Sequence, residues 1–131
     1  MSIACKTLAA ITLLCTATLT QAAAPAGPAS GTWATDFGTI TLVEDAQGMI
    51  SGAYETDAGR ITGKIENGVI EGFWVESASD YTCDTAKMGS RHWGRIRFEL
   101  NSARTAWTGI WSYCDYEYLV GNVWNGKRAA K

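Results

Sequence analysis

A five-residue phrase of apolar, any, glycine, any, apolar returns along the whole chain. It occurs as Ile50-Ser51-Gly52-Ala53-Tyr54, Ile61-Thr62-Gly63-Lys64-Ile65, Ile70-Glu71-Gly72-Phe73-Trp74, Trp107-Thr108-Gly109-Ile110-Trp111 and Leu119-Val120-Gly121-Asn122-Val123. Successive side chains of extended backbone point to opposite sides, so large apolar residues two apart share one face of a strand. The glycine held between them empties the middle of that face. The phrase therefore predicts a curved, Trp-lined β-sheet; it speaks to architecture and identifies no reaction.

The first segment reads as an export signal. Lys6 supplies a positive start, residues 8–19 form an apolar stretch diluted by threonines, and Thr20-Gln21-Ala22 offers small residues around a cleavage point. Cleavage is expected after Ala22 or Ala23, giving 1–22 as signal peptide, 23–30 as linker, 31–128 as the folded domain and 129–131 as a frayed tail. Leu14 ahead of Cys15 is too large for a lipoprotein site. The apolar core of the signal is shorter than the ~20 residues of a spanning helix, and nothing downstream approaches that length. A soluble mature chain, periplasmic or secreted, with no membrane span, is the expectation.

Loss of the signal leaves Cys83 and Cys114 as the only thiols. Two cysteines in an exported domain read as one disulfide. Closing a loop of this length stabilises the fold by roughly 3–4 kcal/mol in the chain-entropy model. His92 is the only histidine and no Cys-x-x-Cys occurs, so neither a metal nor a cofactor is expected. A formal net charge of −2 with scattered basic residues leaves no footprint for nucleic acid.

Alternation and turn residues outline eight strands: 31–35, 39–44, 49–56, 60–66, 69–76, 93–100, 105–113 and 117–124. Asn67-Gly68 is the sharpest turn signal, because both positions of a type I′ hairpin need positive φ. Closely spaced strands pair antiparallel, and eight of them with the usual twist can close on themselves. The expected fold is an all-β, eight-stranded up-and-down barrel, with a two-sheet sandwich as the alternative. In such a meander the connections at 36–38, 57–59, 77–91 and 114–117 share one rim, which brings Cys83 to Cys114. The tight turns at 46–48, 67–68 and 101–104 form a closed floor at the other end.

Alternation puts Arg95, Arg97 and Glu99 outside and the glycine-flanking residues inside. The glycines either make room for bulky rings, as in narrow barrels that fill themselves, or leave a cavity with aromatic walls. On the second reading a small apolar or aromatic ligand is held by Tyr54, Trp74, Trp107 and Trp111, with hydroxyls from Thr39, Thr56 and Thr105.

Gly31-Thr32-Trp33 at the first strand resembles the Gly-x-Trp signature of the calycin barrels. Together with Gly38-Thr39, Gly52-x-Tyr54-Glu55-Thr56 and Trp107-Thr108-Gly109, it is partly similar to the avidin family over about a third of the mature chain. That resemblance implies an eight-stranded barrel with a biotin pocket at a rim formed by Thr35, Thr39, Tyr54, Thr56, Thr105 and Trp107. The chain departs from the family in that Leu119-Val120-Gly121-Asn122-Val123, in its last predicted strand, offers no carboxylate, and its cysteines stand elsewhere. It also resembles exported bacterial β domains rich in Gly-x-Trp strands that end in Trp-x-Gly-x-Arg, as in Trp124-Asn125-Gly126-Lys127-Arg128.

The predicted rim carries Asp36, Asp57, Asp80, Asp84, Asp115 and Glu117. Aspartate is an ordinary turn residue, and no fixed-spacing calcium motif accompanies these acids. Asp80, Asp84, Asp115 and Glu117 also suit a surface that engages a basic secreted protein, as an inhibitor or immunity factor does. Tyr113, Tyr116 and Tyr118 alternate beside the disulfide and offer aromatic anchors for the same purpose. No nucleophile elbow accompanies His92, so chemistry is not expected. The sequence thus points to an exported binding domain for a small molecule, with a protein-binding module and a structural envelope component as alternatives.

Overall fold

A computed structural model, describing residues 27–119 and 121–130, shows a closed barrel of eight antiparallel strands. They are β1 Gly31–Thr35, β2 Gly38–Glu44, β3 Met49–Tyr54, β4 Arg60–Glu66, β5 Val69–Glu76, β6 His92–Leu100, β7 Ala106–Trp111 and β8 Gly126–Arg128. A 3₁₀ turn at Thr56–Ala58 joins β3 to β4. Each strand pairs with its neighbour in sequence, and β8 pairs with β1 to close the ring. The barrel, not the sandwich, is the architecture. The expected signal peptide lies outside the described residues, among which no helix is long and apolar enough to cross a membrane.

Asn67 and Gly68 both adopt positive φ, 51° and 77°, as the hairpin between β4 and β5 requires. Cys83 and Cys114 form a disulfide with their Cα atoms 5.5 Å apart. The loop from 77 to 91 is thereby tied to the end of β7. Outside the barrel wall, Val75, Trp93 and the disulfide form a small second core with Phe73 and Tyr113 beside it. The Lys87 ammonium lies 4.1 Å from the Phe73 ring centre and 4.6 Å from that of Trp93, which clamps the loop over this patch.

The last strand corrects the sequence reading. Residues 117–124 alternate but do not form a strand; Val123 makes one isolated bridge to Ile110. The closing strand is the short Gly126-Lys127-Arg128 segment, set against both β7 and β1. Trp124 instead turns inward, buried in the core, and its indole N–H donates to Thr35 Oγ1 at 3.0 Å. Arg128 fixes the closure. Its guanidinium donates to the Pro28, Ser30 and Arg104 carbonyls and lies 4.2 Å from the Trp33 ring centre.

The floor is closed by a segment that sequence reading assigned to a linker. Ala29 is fully buried, its N–H donates to Glu44 at 2.7 Å, and its carbonyl accepts the Trp33 indole N–H at 3.0 Å. The tail is likewise engaged, since the Ala129 N–H donates to the Thr32 carbonyl.

The middle of the barrel is filled. Register places Gly52 across from Leu42 and Ile61, Gly94 across from Trp74, Gly109 across from Phe98 and Gly126 across from Trp107. A methyl group at Gly52 would stand 2.6 Å from Leu42 Cδ2, and one at Gly126 would stand 2.6 Å from the Trp107 ring. Those separations are well inside van der Waals contact, so each glycine's empty side is occupied by its cross-strand neighbour. Gly63 and Gly72 face each other, and a methyl at Gly72 would strike the Thr62 carbonyl and the Gly63 backbone. Here the glycines let two backbones approach. At the centre Phe98 and Trp107 stack at 4.8 Å, with Trp33 4.6 Å from Trp107.

Candidate functional site

The open end of the barrel holds a cleft of about 220 Å³. Its walls are aromatic: Phe37 from the β1–β2 turn, Trp74 from β5, Trp111 at the end of β7, and Tyr113 and Trp124 from the long β7–β8 connection. Thr56 and Asp57 enter from the 3₁₀ turn, Glu76 from the end of β5, and Ser79 and Asp80 from the disulfide-tied loop. Connections that alternate along the meander meet here, as the sequence reading expected of one rim.

The rings meet at steep angles. Trp74 and Trp111 are 6.1 Å apart at 80°, Trp111 and Tyr113 4.9 Å at 84°, and Trp74 and Tyr113 5.7 Å at 76°. Phe37 adds an edge contact to Trp124 at 5.0 Å. Edge-to-face contacts of this kind are favourable and fix ring orientation. Hydrogen bonds fix it further. The indole N–H groups of Trp33, Trp74, Trp93, Trp107 and Trp124 each donate to a protein oxygen. That of Trp111, in the cleft wall, has no such acceptor among the described residues.

The polar side of the cleft is acidic. Tyr54 donates its hydroxyl to Glu76 Oε1 at 2.7 Å from beneath the cleft. Burial, reinforced by the Glu76 partner, pushes the Tyr54 hydroxyl far above its ordinary value. Burial also raises the Glu76 carboxyl; the Tyr54 hydrogen bond opposes that shift, Asp57 adds to it, and His92 opposes it. Tyr113 is raised first by burial and then by the neighbouring Asp80 carboxylate. These couplings put Asp57, Glu76 and Asp80 in one local field. His92 is held beside them, its Nδ1 3.0 Å from Ser79 Oγ. Among the described residues, no three His, Cys, Asp or Glu side chains are grouped so as to hold a metal ion.

Of the residues the sequence nominated for a ligand, Thr56, Trp74 and Trp111 line the cleft, and Tyr54 supports it through Glu76 and an edge contact with Trp124 at 5.4 Å. The other three stand elsewhere. Thr39 is exposed, because its position in the β2 alternation points away from the core. Thr105 belongs to the floor turn, where Asn101 binds it at 2.9 Å. Trp107 faces inward as expected, but it is a core residue in the filled middle of the barrel, its indole N–H donating to the Trp124 carbonyl. The residues that the avidin resemblance gathers at one rim are thus divided between the mouth, the outer wall, the filled middle and the floor.

Of the acids nominated for a protein surface, Asp80 lines the cleft, whereas Asp84, Asp115 and Glu117 are exposed and do not line it. Asp36 serves the turn, accepting the Asn125 N–H at 2.8 Å. Tyr113 is half-buried in the cleft wall, Tyr116 is 63% exposed, and the Arg95 guanidinium lies 4.6 Å from the Tyr118 ring centre. Sequence reasoning missed Phe37, Glu76, Ser79 and Trp124 as cleft residues. Phe37 and Ser79 carried a signal in falling within connections assigned to that rim, and Glu76 in ending a predicted strand there; Trp124 carried none. No protein-family model, no curated protein and no solved structure matches this chain.

Proposed function

We propose that this chain is a non-enzymatic binding domain that takes a small ligand with an apolar body into the cleft at the barrel mouth. The observation that carries this reading is the concentration of Trp74, Trp111, Tyr113 and Trp124 around open space, while the interior is filled. Binding sites combine apolar walls with a few placed polar groups, and the Trp111 N–H and the Glu76 and Asp80 carboxylates supply them. A volume of about 220 Å³ is below that of a drug-sized pocket. The ligand is correspondingly small. The disulfide and the lack of a membrane-spanning helix among the described residues are compatible with an exported protein.

Native mass spectrometry of the domain, gently isolated from its own host, tests the reading. The expected result is a reproducible small-molecule adduct that is lost in Trp111→Ala. An adduct that survives the substitution would place the ligand elsewhere.

A second reading, a protein-binding rim, is favoured by the exposed Phe37, Tyr81, Tyr116 and Leu119. Exposed aromatic residues are typical anchors of protein contacts. Charge reversal at Asp84 and Asp115 that leaves every captured partner bound would remove the acidic part of that reading.

A further inference from the structure

We infer that the cleft selects an organic cation, a compact ammonium group borne on a short carbon skeleton. The inference rests on the proposed binding role of the cleft and deepens it.

Three observations converge. First, Trp74, Trp111 and Tyr113 stand nearly perpendicular to one another, at 76–84°. Parallel rings would make a slot for a flat aromatic ligand; these three pack edge to face and leave the cleft a bent aromatic wall, which suits a compact group. The faces of such rings carry negative potential and attract cations, and indole is the strongest in this respect.

Second, the formal charge of the cleft is of one sign. Asp57, Glu76 and Asp80 line it, and no lysine, arginine or histidine does. The nearby bases stand outside the cleft: Lys87 lies over Phe73 and Trp93, Arg60 donates to the Met88 carbonyl, and His92 is held by Ser79, its attraction for Glu76 a smaller effect than the burial that raises that carboxyl. Glu76 is half-buried, and its named partner, the Tyr54 hydroxyl, carries no charge. A carboxylate drawn out of water is costly unless its charge is matched, and His92 offsets that cost only in part. A bound ammonium would supply that charge.

Third, the same acids are not grouped as metal ligands. Carboxylates spread around an aromatic wall suit a larger, weakly hydrated cation better than a bare metal ion, which needs its oxygens within a single coordination sphere.

The test is a titration of the mature, disulfide-bonded domain followed through its indole N–H resonances. Choline and ethanolamine are the cationic probes. The neutral control is 3,3-dimethyl-1-butanol, which replaces the choline nitrogen by carbon and keeps the shape. The expected result is saturable movement of the Trp74, Trp111 and Trp124 resonances with at least one cation, while Trp33, Trp93 and Trp107 stay still. Affinity for that cation should exceed affinity for the neutral isostere by about tenfold or more. Glu76→Gln with Asp80→Asn should erase this preference, so that choline and the neutral alcohol bind with affinities within about twofold of each other.

Equal binding of choline and its neutral isostere would overturn the cation inference while sustaining the small-ligand reading. Movement of no mouth resonance with any probe up to tens of millimolar would overturn the cation inference alone, since native adduct formation reports separately on the small-ligand reading. Nα-acetyl-lysinamide distinguishes the source of the ammonium. Tighter binding than ethanolamine assigns it to a lysine side chain of a protein, and weaker binding to a free molecule. Either result sustains the cation inference.

Discussion

At the scale of single residues, the decisive fact is that the glycines in this barrel are spaces already used. Gly72 sits where β4 and β5 backbones come together, so a methyl group there has no direction in which to relax. Gly72→Ala is expected to cost about 1–3 kcal/mol, the usual range for overpacking. Gly121 has the same local phrase around it but nothing within 4 Å of its missing methyl group. Gly121→Ala is expected to change stability by no more than about 0.5 kcal/mol. Urea unfolding of the two variants checks the pair; equal losses would mean that the phrase, and not the packing, sets the cost. Periodicity makes both positions look alike in the sequence. What separates them is cross-strand register, which the sequence does not display.

At the scale of elements, the disulfide and the loop from 77 to 91 form a separable unit. The cysteines belong to the small outer core with Val75 and Trp93, while the main core inside the barrel contains neither. Cys83→Ala with Cys114→Ala is therefore expected to lower stability by roughly 3–4 kcal/mol in the chain-entropy model, with the barrel still folded. Hydrogen exchange checks this: the Cys83 and Lys87 amides, bonded within the loop to Arg91 and Ser90, should lose protection before those of β3 and β4. Simultaneous loss of both would contradict the separation.

Seven of the strands were legible because alternation and turn residues agree over five or more residues in each. β8 was not, for two physical reasons. It has only three residues, too few to express a period, and what holds it is long-range: the Arg128 hydrogen bonds to Pro28 and Ser30. Leu119 to Val123 alternates in sequence, yet only its end lies against β7, through the Val123–Ile110 bridge and the Trp111 backbone N–H donating to the Asn122 carbonyl. The Trp124-Asn125-Gly126-Lys127-Arg128 ending was visible, yet nothing local marked its last three residues as the seam of the barrel. The burial of Ala29 was hidden for the same reason, since an alanine between proline and serine carries no period at all.

At the scale of the whole molecule, the barrel divides along its axis into a plugged floor, a filled middle and an aromatic, acidic mouth. The floor is sealed by residues 27–30 and by tight turns, and the middle by Phe98, Trp107, Trp33 and the residues packed over the glycines. Only the mouth was partly legible as a site: Thr56, Trp74, Trp111 and Asp80 were named from the sequence, whereas Phe37 and Trp124 reach it through turns whose direction no pattern encodes. Trp107 lies in the core and not at the cleft, a difference the sequence could not show, because inward-facing and ligand-facing are the same statement in an alternation pattern.

The most direct measurement is a crystal structure of the domain under xenon pressure, since xenon enters apolar cavities that water leaves empty. The expected result is xenon at the mouth, against Trp74 and Trp111, or nowhere. Xenon lodged between Gly52, Gly63 and Gly109 would reveal an internal cavity and contradict the filled barrel on which the placement of the site depends.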